Sequence, residues 1–306
     1  MSSIEKMMER LARQNREPAA GVTPKSAVSA IENPSDSPIY TAVTEHNANA
    51  SDGHEKKPLA LQLDRLELAG YLADDYEDSC QFSEFRKIKR PILKKAFPTE
   101  KTAGALPRNL VMITSAVPGE GKTFCAINLM LNMILERDIT VLLMDVDCMR
   151  RSLSKVFAVD TLPGLVDVLE GDKKIEDVII NTAVPNLKII PAGRALKHTA
   201  ELLAGDDMKC LMVELSERYA DRIILMDTPP LLAANDAEIL SHYAGQAIVV
   251  AEADKTPQSI TQQALMCIDT EKTSTGLILN KRQAGILAEN NSYGYYYSGD
   301  EESGRG

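Results

Sequence analysis

Residues 109–124 read NLVMITSAVPGEGKTF. The first six are almost wholly apolar and rich in strand formers, so they predict a buried strand with no solvent face. The next stretch, Ser115 to Gly121, is a glycine-bearing loop, and a helical pattern opens near Lys122. Strand, glycine loop and helix in that order form the context of a phosphate-binding loop. Gly119 and Gly121 allow the backbone to turn the amides of 119–123 toward one centre, and the helix N-terminus adds partial positive charge. Lys122 can then reach β- and γ-phosphates and the Thr123 hydroxyl can ligate Mg²⁺. Ala116 stands where the usual pattern has its first glycine.

Working outward, further short apolar runs predict strands at 141–147, 187–193, 222–227, 246–253 and 276–280, each buried on both faces. Helical stretches at 122–137, 207–219 and 256–270 lie between them. Such alternation predicts an α/β fold, a mostly parallel sheet with helices on both faces and ligands at the carboxyl ends of the strands. Two of those strands end in carboxylates. VLLMDVD ends with Asp145 and Asp147, whose spacing of two predicts that they point to the same side, and RIILMD ends with Asp227. Three aspartates at strand tips beside a phosphate loop predict a nucleoside triphosphatase or kinase site.

Composition bounds the remaining classes. A net charge of −10 argues against general nucleic-acid binding, because such a surface needs a cationic field. The five cysteines are scattered without a CxxC pair, which suggests reduced thiols rather than a disulfide framework or zinc site. Glu5, Lys6, Glu9 and Arg10 interrupt any apolar leader, and no apolar run approaches the roughly 20 residues of a spanning helix. A soluble, cytoplasmic protein reaching the membrane only through a partner is the expectation.

Ile4, Met7, Met8 and Leu11 recur at helical spacing, so residues 1–16 predict an amphipathic, partner-docking helix. Residues 17–75 predict a linker and lead-in, disordered over about 17–58, where too few large apolar residues offset the ordering entropy. The basic run RKIKRPILKK (86–95) predicts either a subunit or anionic-lipid contact or a solvated face.

Taken together, FSEFRKIKRPIL (82–93), ITSAVPGEGKTFCAINL (113–129), VLLMDVDCMRRSL (141–153), PGLVDVLEG (163–171), TAELLAG (199–205), RIILMDTPPLL (222–232), GLILNK (276–281) and the tyrosine cluster SYGYYYSGDEE (292–302) carry a resemblance. So does the opening SSIEKMMERLAR. The chain resembles the bacterial tyrosine autokinases of exopolysaccharide synthesis, most closely the branch associated with exosortase systems. That resemblance implies a P-loop kinase domain over 76–287 and a flexible tyrosine tail over 288–306. It implies that ATP and Mg²⁺ are bound through Pro118, Gly119, Glu120, Gly121, Lys122, Thr123 and Phe124, with Asn280 as a candidate for the base. Lys122, Asp145, Asp147 and Asp227 would be catalytic, Asp145 orienting or deprotonating the acceptor, with Thr123, Asp145 and Asp227 at the metal. Tyr293, Tyr295, Tyr296 and Tyr297 would be the phosphate acceptors, presented between subunits of a homo-oligomer. An inner-membrane chain-length determinant would be the activating partner, placing the chain at the cytoplasmic side of that membrane.

The sequence departs from the family pattern in places. Ser83, Arg86 and Lys89 occupy the register of the Glu, Arg, Arg ring-assembly motif, and Met149 replaces an arginine that Arg150 and Arg151 would replace in turn. Two other classes compete: a partitioning ATPase like ParA and MinD, and a nucleotide-gated scaffold without kinase activity. The first carries a lysine five residues before the loop lysine, where this chain has Val117.

Overall fold

A computed structural model describes residues 58–60, 66, 70–71, 79–97, 106–233 and 235–282. The predicted N-terminal helix, most of the linker and the tyrosine tail lie outside these residues.

Seven strands form one sheet: β1 (Leu110–Ser115), β2 (Thr140–Asp145), β3 (Ile180–Asn181), β4 (Leu187–Ile190), β5 (Arg222–Asp227), β6 (Gln246–Glu252) and β7 (Ser274–Asn280). Their order is β3-β4-β2-β5-β1-β6-β7, parallel throughout except for the β3–β4 pair. The mostly parallel α/β sheet predicted from the apolar runs is therefore present. Among the described residues the helices are α1 (Cys80–Ala96), α2 (Lys122–Met133), α3 (Ser152–Val156), α4 (Leu165–Leu169), α5 (Ile175–Val178), α6 (Thr199–Ala204), α7 (Asp206–Arg218), α8 (Asn235–Ser241) and α9 (Gln258–Met266).

Two cores cover the two faces, and the strand pleat divides residues between them. Val111, Ile113, Val141, Leu143, Ile223 and Leu225 pack with the apolar residues of α1 and α2. Leu110, Met112, Leu142, Met144, Ile224 and Met226 pack with those of α4 to α8. Leu59 and Leu66, from the predicted lead-in, are buried in the first core. Leu59 joins the sheet's edge, donating its N–H to the Asn181 carbonyl at 2.8 Å and accepting from Ala183 N–H at 2.7 Å.

Three elements differ from expectation for identifiable reasons. The helix predicted over 122–137 stops at Met133, because buried Lys89 of α1 donates from Nζ to the Asn132 carbonyl at 2.7 Å and pairs with Glu136 at 2.7 Å. The Glu136 N–H turns to the Met133 carbonyl instead. Lys89 is thus an internal fastener rather than part of a solvated or lipid-facing basic surface. Strand β2 ends at Asp145 and not at 147, since the amides of Val146 and Asp147 both bend across to the Asp227 carbonyl at 2.8 and 3.1 Å. Finally, β7 is an edge strand with one covered face: Ile278 is buried while Leu277 and Leu279 are 56% and 60% exposed.

Candidate active site

The phosphate loop leaves β1 at the carboxyl edge of the sheet and delivers Lys122 and Thr123 as the first residues of α2. Gly119 and Gly121 take φ values of 92° and 95°, a left-handed conformation that disfavours any side chain. At Gly121 space is also absent, since a Cβ there would stand 2.2 Å from Asn280 Nδ2.

Strand register brings the carboxylates together. Asp145 and Asp227 are direct partners across β2 and β5, both fully buried, and β5 lies beside β1. Thr123 Oγ1 donates to Asp227 Oδ2 at 2.6 Å, and Lys122 Nζ donates to Asp147 Oδ2 at 2.8 Å while standing 3.8 Å from Asp227 Oδ1. Asp145 Oδ2 accepts from both the backbone and the hydroxyl of Ser154, at 2.8 and 2.7 Å. Asp145 and Asp147 therefore do not share one direction as a continued strand would require. The first faces α3 and the second faces Lys122, because the chain has already left the sheet at Val146.

The electrostatics follow from that burial. Loss of water, reinforced by the charge of Asp227, pushes the Asp145 carboxyl up to about 7. Burial pushes Asp227 up to about 6 against the opposing pull of Lys122 and Thr123. For Lys122, burial alone would lower the pKa, but Asp227 and Asp147 outweigh it and hold the ammonium above its ordinary value. Asp145 Oδ1 and Asp227 Oδ1 are buried and accept no hydrogen bond. Two buried carboxylate oxygens without donors beside a hydroxyl form a donor set that fits a hard cation. Among the described residues no group of three or more His, Cys, Asp or Glu forms a protein-only metal cage. Mg²⁺ is usually held by one or two carboxylates plus substrate phosphates, a requirement that the Asp145 and Asp227 oxygens beside Thr123 can meet.

A cavity of about 340 Å³ opens over the loop, lined by Gly70, Tyr71, Gly119, Gly121, Lys122, Thr123, Phe124, Arg150 and Ser152. Tyr71 was not singled out from the sequence. Its backbone carbonyl accepts from Asn128 and Gln81, and its ring stacks on Phe124 with centroids 6.4 Å apart. An aromatic residue within the leucine-bearing run LALQLDRLELAGYL (59–72) was the signal available. Ser154 had none, as its contact with Asp145 depends on how α3 folds back over β2. Of the predicted loop residues, Glu120 turns its buried carboxylate away from the cavity lining, to the Val117 N–H at 2.8 Å and the Thr256 hydroxyl. Asn280 lies over the loop, donating from Nδ2 to the Glu120 carbonyl at 2.9 Å. The four tail tyrosines lie outside the described residues.

With this geometry in hand, comparison with known proteins gives a consistent result. A family profile described as an AAA domain matches residues 109–275, more than half of the chain. The chain is 36% identical over 176 residues to the tyrosine-protein kinase ptk of Acinetobacter johnsonii, covering 57% of this chain and 24% of that protein. It is 32% identical over 191 residues to the tyrosine-protein kinase YwqD of Bacillus subtilis, covering 62% of this chain and 78% of that one. The chain thus spans about a quarter of the first relative and most of the second. Among solved structures, the kinase domain of the Escherichia coli tyrosine kinase ETK superposes with a TM-score of 0.59 at 25% identity, over 81% of this chain and 89% of that one. On its P-loop sheet and its likeness to these proteins, the chain belongs to the family of bacterial tyrosine-protein kinases built on the AAA-domain fold.

Proposed function

We propose that this protein is an ATP- and Mg²⁺-dependent tyrosine autokinase of the exosortase-associated branch, whose acceptors are Tyr293, Tyr295, Tyr296 and Tyr297 of its own tail. The observation that carries the reading is the buried constellation of Lys122, Thr123, Asp145, Asp147 and Asp227 at the mouth of a glycine loop, with two carboxylate oxygens left without donors. In this reading the loop amides and Lys122 bind the β- and γ-phosphates, and Asp147 aims the Lys122 ammonium. Thr123, Asp227 and Asp145 are the residues that would hold Mg²⁺, which supplies charge neutralisation on the phosphates when bound.

A tyrosine phenol, with a pKa of about 10, is a weak nucleophile at neutral pH. Its oxygen forms the new bond to the γ-phosphorus while the bond to the β–γ bridging oxygen breaks, ADP leaves, and the phenol proton must find an acceptor. Asp145, with Oδ1 free of hydrogen bonds, suits that task where Thr123 and Asp227 carry the Mg²⁺. Phosphate added beside Asp300, Glu301 and Glu302 would repel the tail from an acidic site and set its release. The proposed partner is an inner-membrane chain-length determinant of exopolysaccharide assembly, with acceptance of the tail between subunits and a cytoplasmic location against that membrane.

Lys122→Met and Asp227→Asn are expected to lower tail phosphorylation at least about 100-fold, since each removes charge stabilisation of the transferring group. Phosphotyrosine retained by purified Lys122→Met protein, made in a host without another tyrosine kinase, would refute the reading.

A further inference from the structure

The carbonyls of the phosphate loop pose a problem that its amides do not. A loop that turns its N–H groups toward one centre leaves backbone carbonyls directed elsewhere, and these need donors of their own. Two such donors come from successive residues at the end of β7. Asn280 Nδ2 donates to the Glu120 carbonyl at 2.9 Å, and Lys281 Nζ donates to the Gly119 carbonyl at 2.6 Å. The Asn280 side chain crosses the loop so closely that a Cβ added at 121 would stand 2.2 Å from its Nδ2. On the other side, the buried Glu120 carboxylate ties the loop to Val117 N–H and to the Thr256 hydroxyl beyond β6. Lys281 is itself steadied by Glu252 at 3.1 Å, whose carboxyl the hydrogen bonds from Lys281 and Lys255 hold below its usual range.

We infer that Asn280, Lys281 and Glu120 form a clasp that positions the phosphate loop for the triphosphate, with Asn280 acting on triphosphate binding through the loop. The inference rests on the proposed function only in taking the loop to bind a nucleoside triphosphate. A contact of Asn280 with the base, as expected from the sequence, would use the second N–H or the Oδ1 of the same amide, so the clasp is tested by its effect on the triphosphate. The clasp also fastens Asn280 and Lys281, among the last described residues before the tail, to the phosphate loop.

The test measures binding of Mg-ATP, Mg-GTP and magnesium tripolyphosphate to the full chain by calorimetry, so no turnover is needed. Asn280→Ala is expected to weaken all three by a common factor of about ten, the loss of one hydrogen bond to a buried group. Asn280→Asp, similar in shape but presenting an acceptor to a carbonyl, should weaken them further. Lys281→Met should weaken them severalfold, and Lys281→Arg, which keeps a donor, should restore most of the loss. Melting of the ligand-free variants checks the fold, and the Lys281 pair carries the test if Asn280→Ala does not fold. Loss of ATP affinity alone, with tripolyphosphate unaffected, would overturn the clasp in favour of base reading. So would variants that bind all three as wild type does. Binding that behaves as expected in a protein that phosphorylates no tyrosine would leave the clasp standing and refute the kinase reading, whereas a wild type that binds none of the three would refute both.

Discussion

Asp145 is the residue on which chemistry and stability meet. Its carboxyl is pushed up to about 7 from an ordinary value of 3.8, burial being the main cause and Asp227 the second. A folded-state pKa raised in this way contributes stability that is fully present below about pH 4 and is lost as pH rises through about 7. The ligand-free protein is therefore expected to melt lower at pH 8 than at pH 5, other groups being equal. Asp145→Asn should raise the melting temperature at pH 8, by about 2–4 °C for each kcal/mol relieved, with the gain shrinking as pH falls toward 4. A gain of equal size at every pH, seen by differential scanning fluorimetry, would contradict this origin. The same substitution removes the proposed proton acceptor, so it should abolish phosphorylation while stabilising the fold. Mg-ATP binding should strengthen between pH 6 and 7.5, because the carboxylates proposed to hold Mg²⁺ must first ionise.

At the scale of elements, the contact between α1 and α2 depends on a charged group buried in a predominantly apolar layer. Lys89→Met leaves the Asn132 carbonyl without the Lys89 donor and breaks the pair with Glu136. It is expected to cost about 1–3 kcal/mol, measured by urea unfolding, and a loss near zero would show that the pair offsets its own desolvation. Gly164, before α4, meets a different limit: an added Cβ would stand 2.1 Å from the Pro191 carbonyl oxygen, a backbone atom. Gly164→Ala should therefore destabilise by at least about 1–3 kcal/mol in the same assay.

These elements also separate what could be read in the sequence from what could not. Strand β1, its loop and the start of α2 are continuous, so apolar run, glycines and Lys-Thr were legible together. The aspartates at the ends of β2 and β5 were legible because a buried parallel strand must stop where a carboxylate begins. The clasp was not, since Asn280 and Glu120 lie 160 residues apart and meet only through the order of β6 and β7. Strand β3, two residues long, carries no period to detect, and Lys89 reads as one more cation until α2 is packed against it. The exposed Leu277 and Leu279 were read as buried because an apolar run does not reveal that its strand is at the edge.

For the whole molecule, one carboxyl edge of one sheet gathers the loop, the three aspartates, and Asn280 and Lys281. Lys281 holds the loop at Gly119, and Tyr293 follows 12 residues later, a span of up to about 40 Å when extended. The proposed acceptors thus follow Lys281 within a length of chain that could span to a phosphate site, of the same copy or a neighbouring one. The most direct test of the central claim is peptide mass spectrometry of the full chain after incubation with Mg-ATP, with Lys122→Met alongside and with and without the cytoplasmic segment of the proposed membrane partner. Phosphate on Tyr293, Tyr295, Tyr296 or Tyr297 in the wild type and none in Lys122→Met is the predicted result. No phosphate in the wild type even with the partner segment present, or equal phosphate in both proteins, would contradict it.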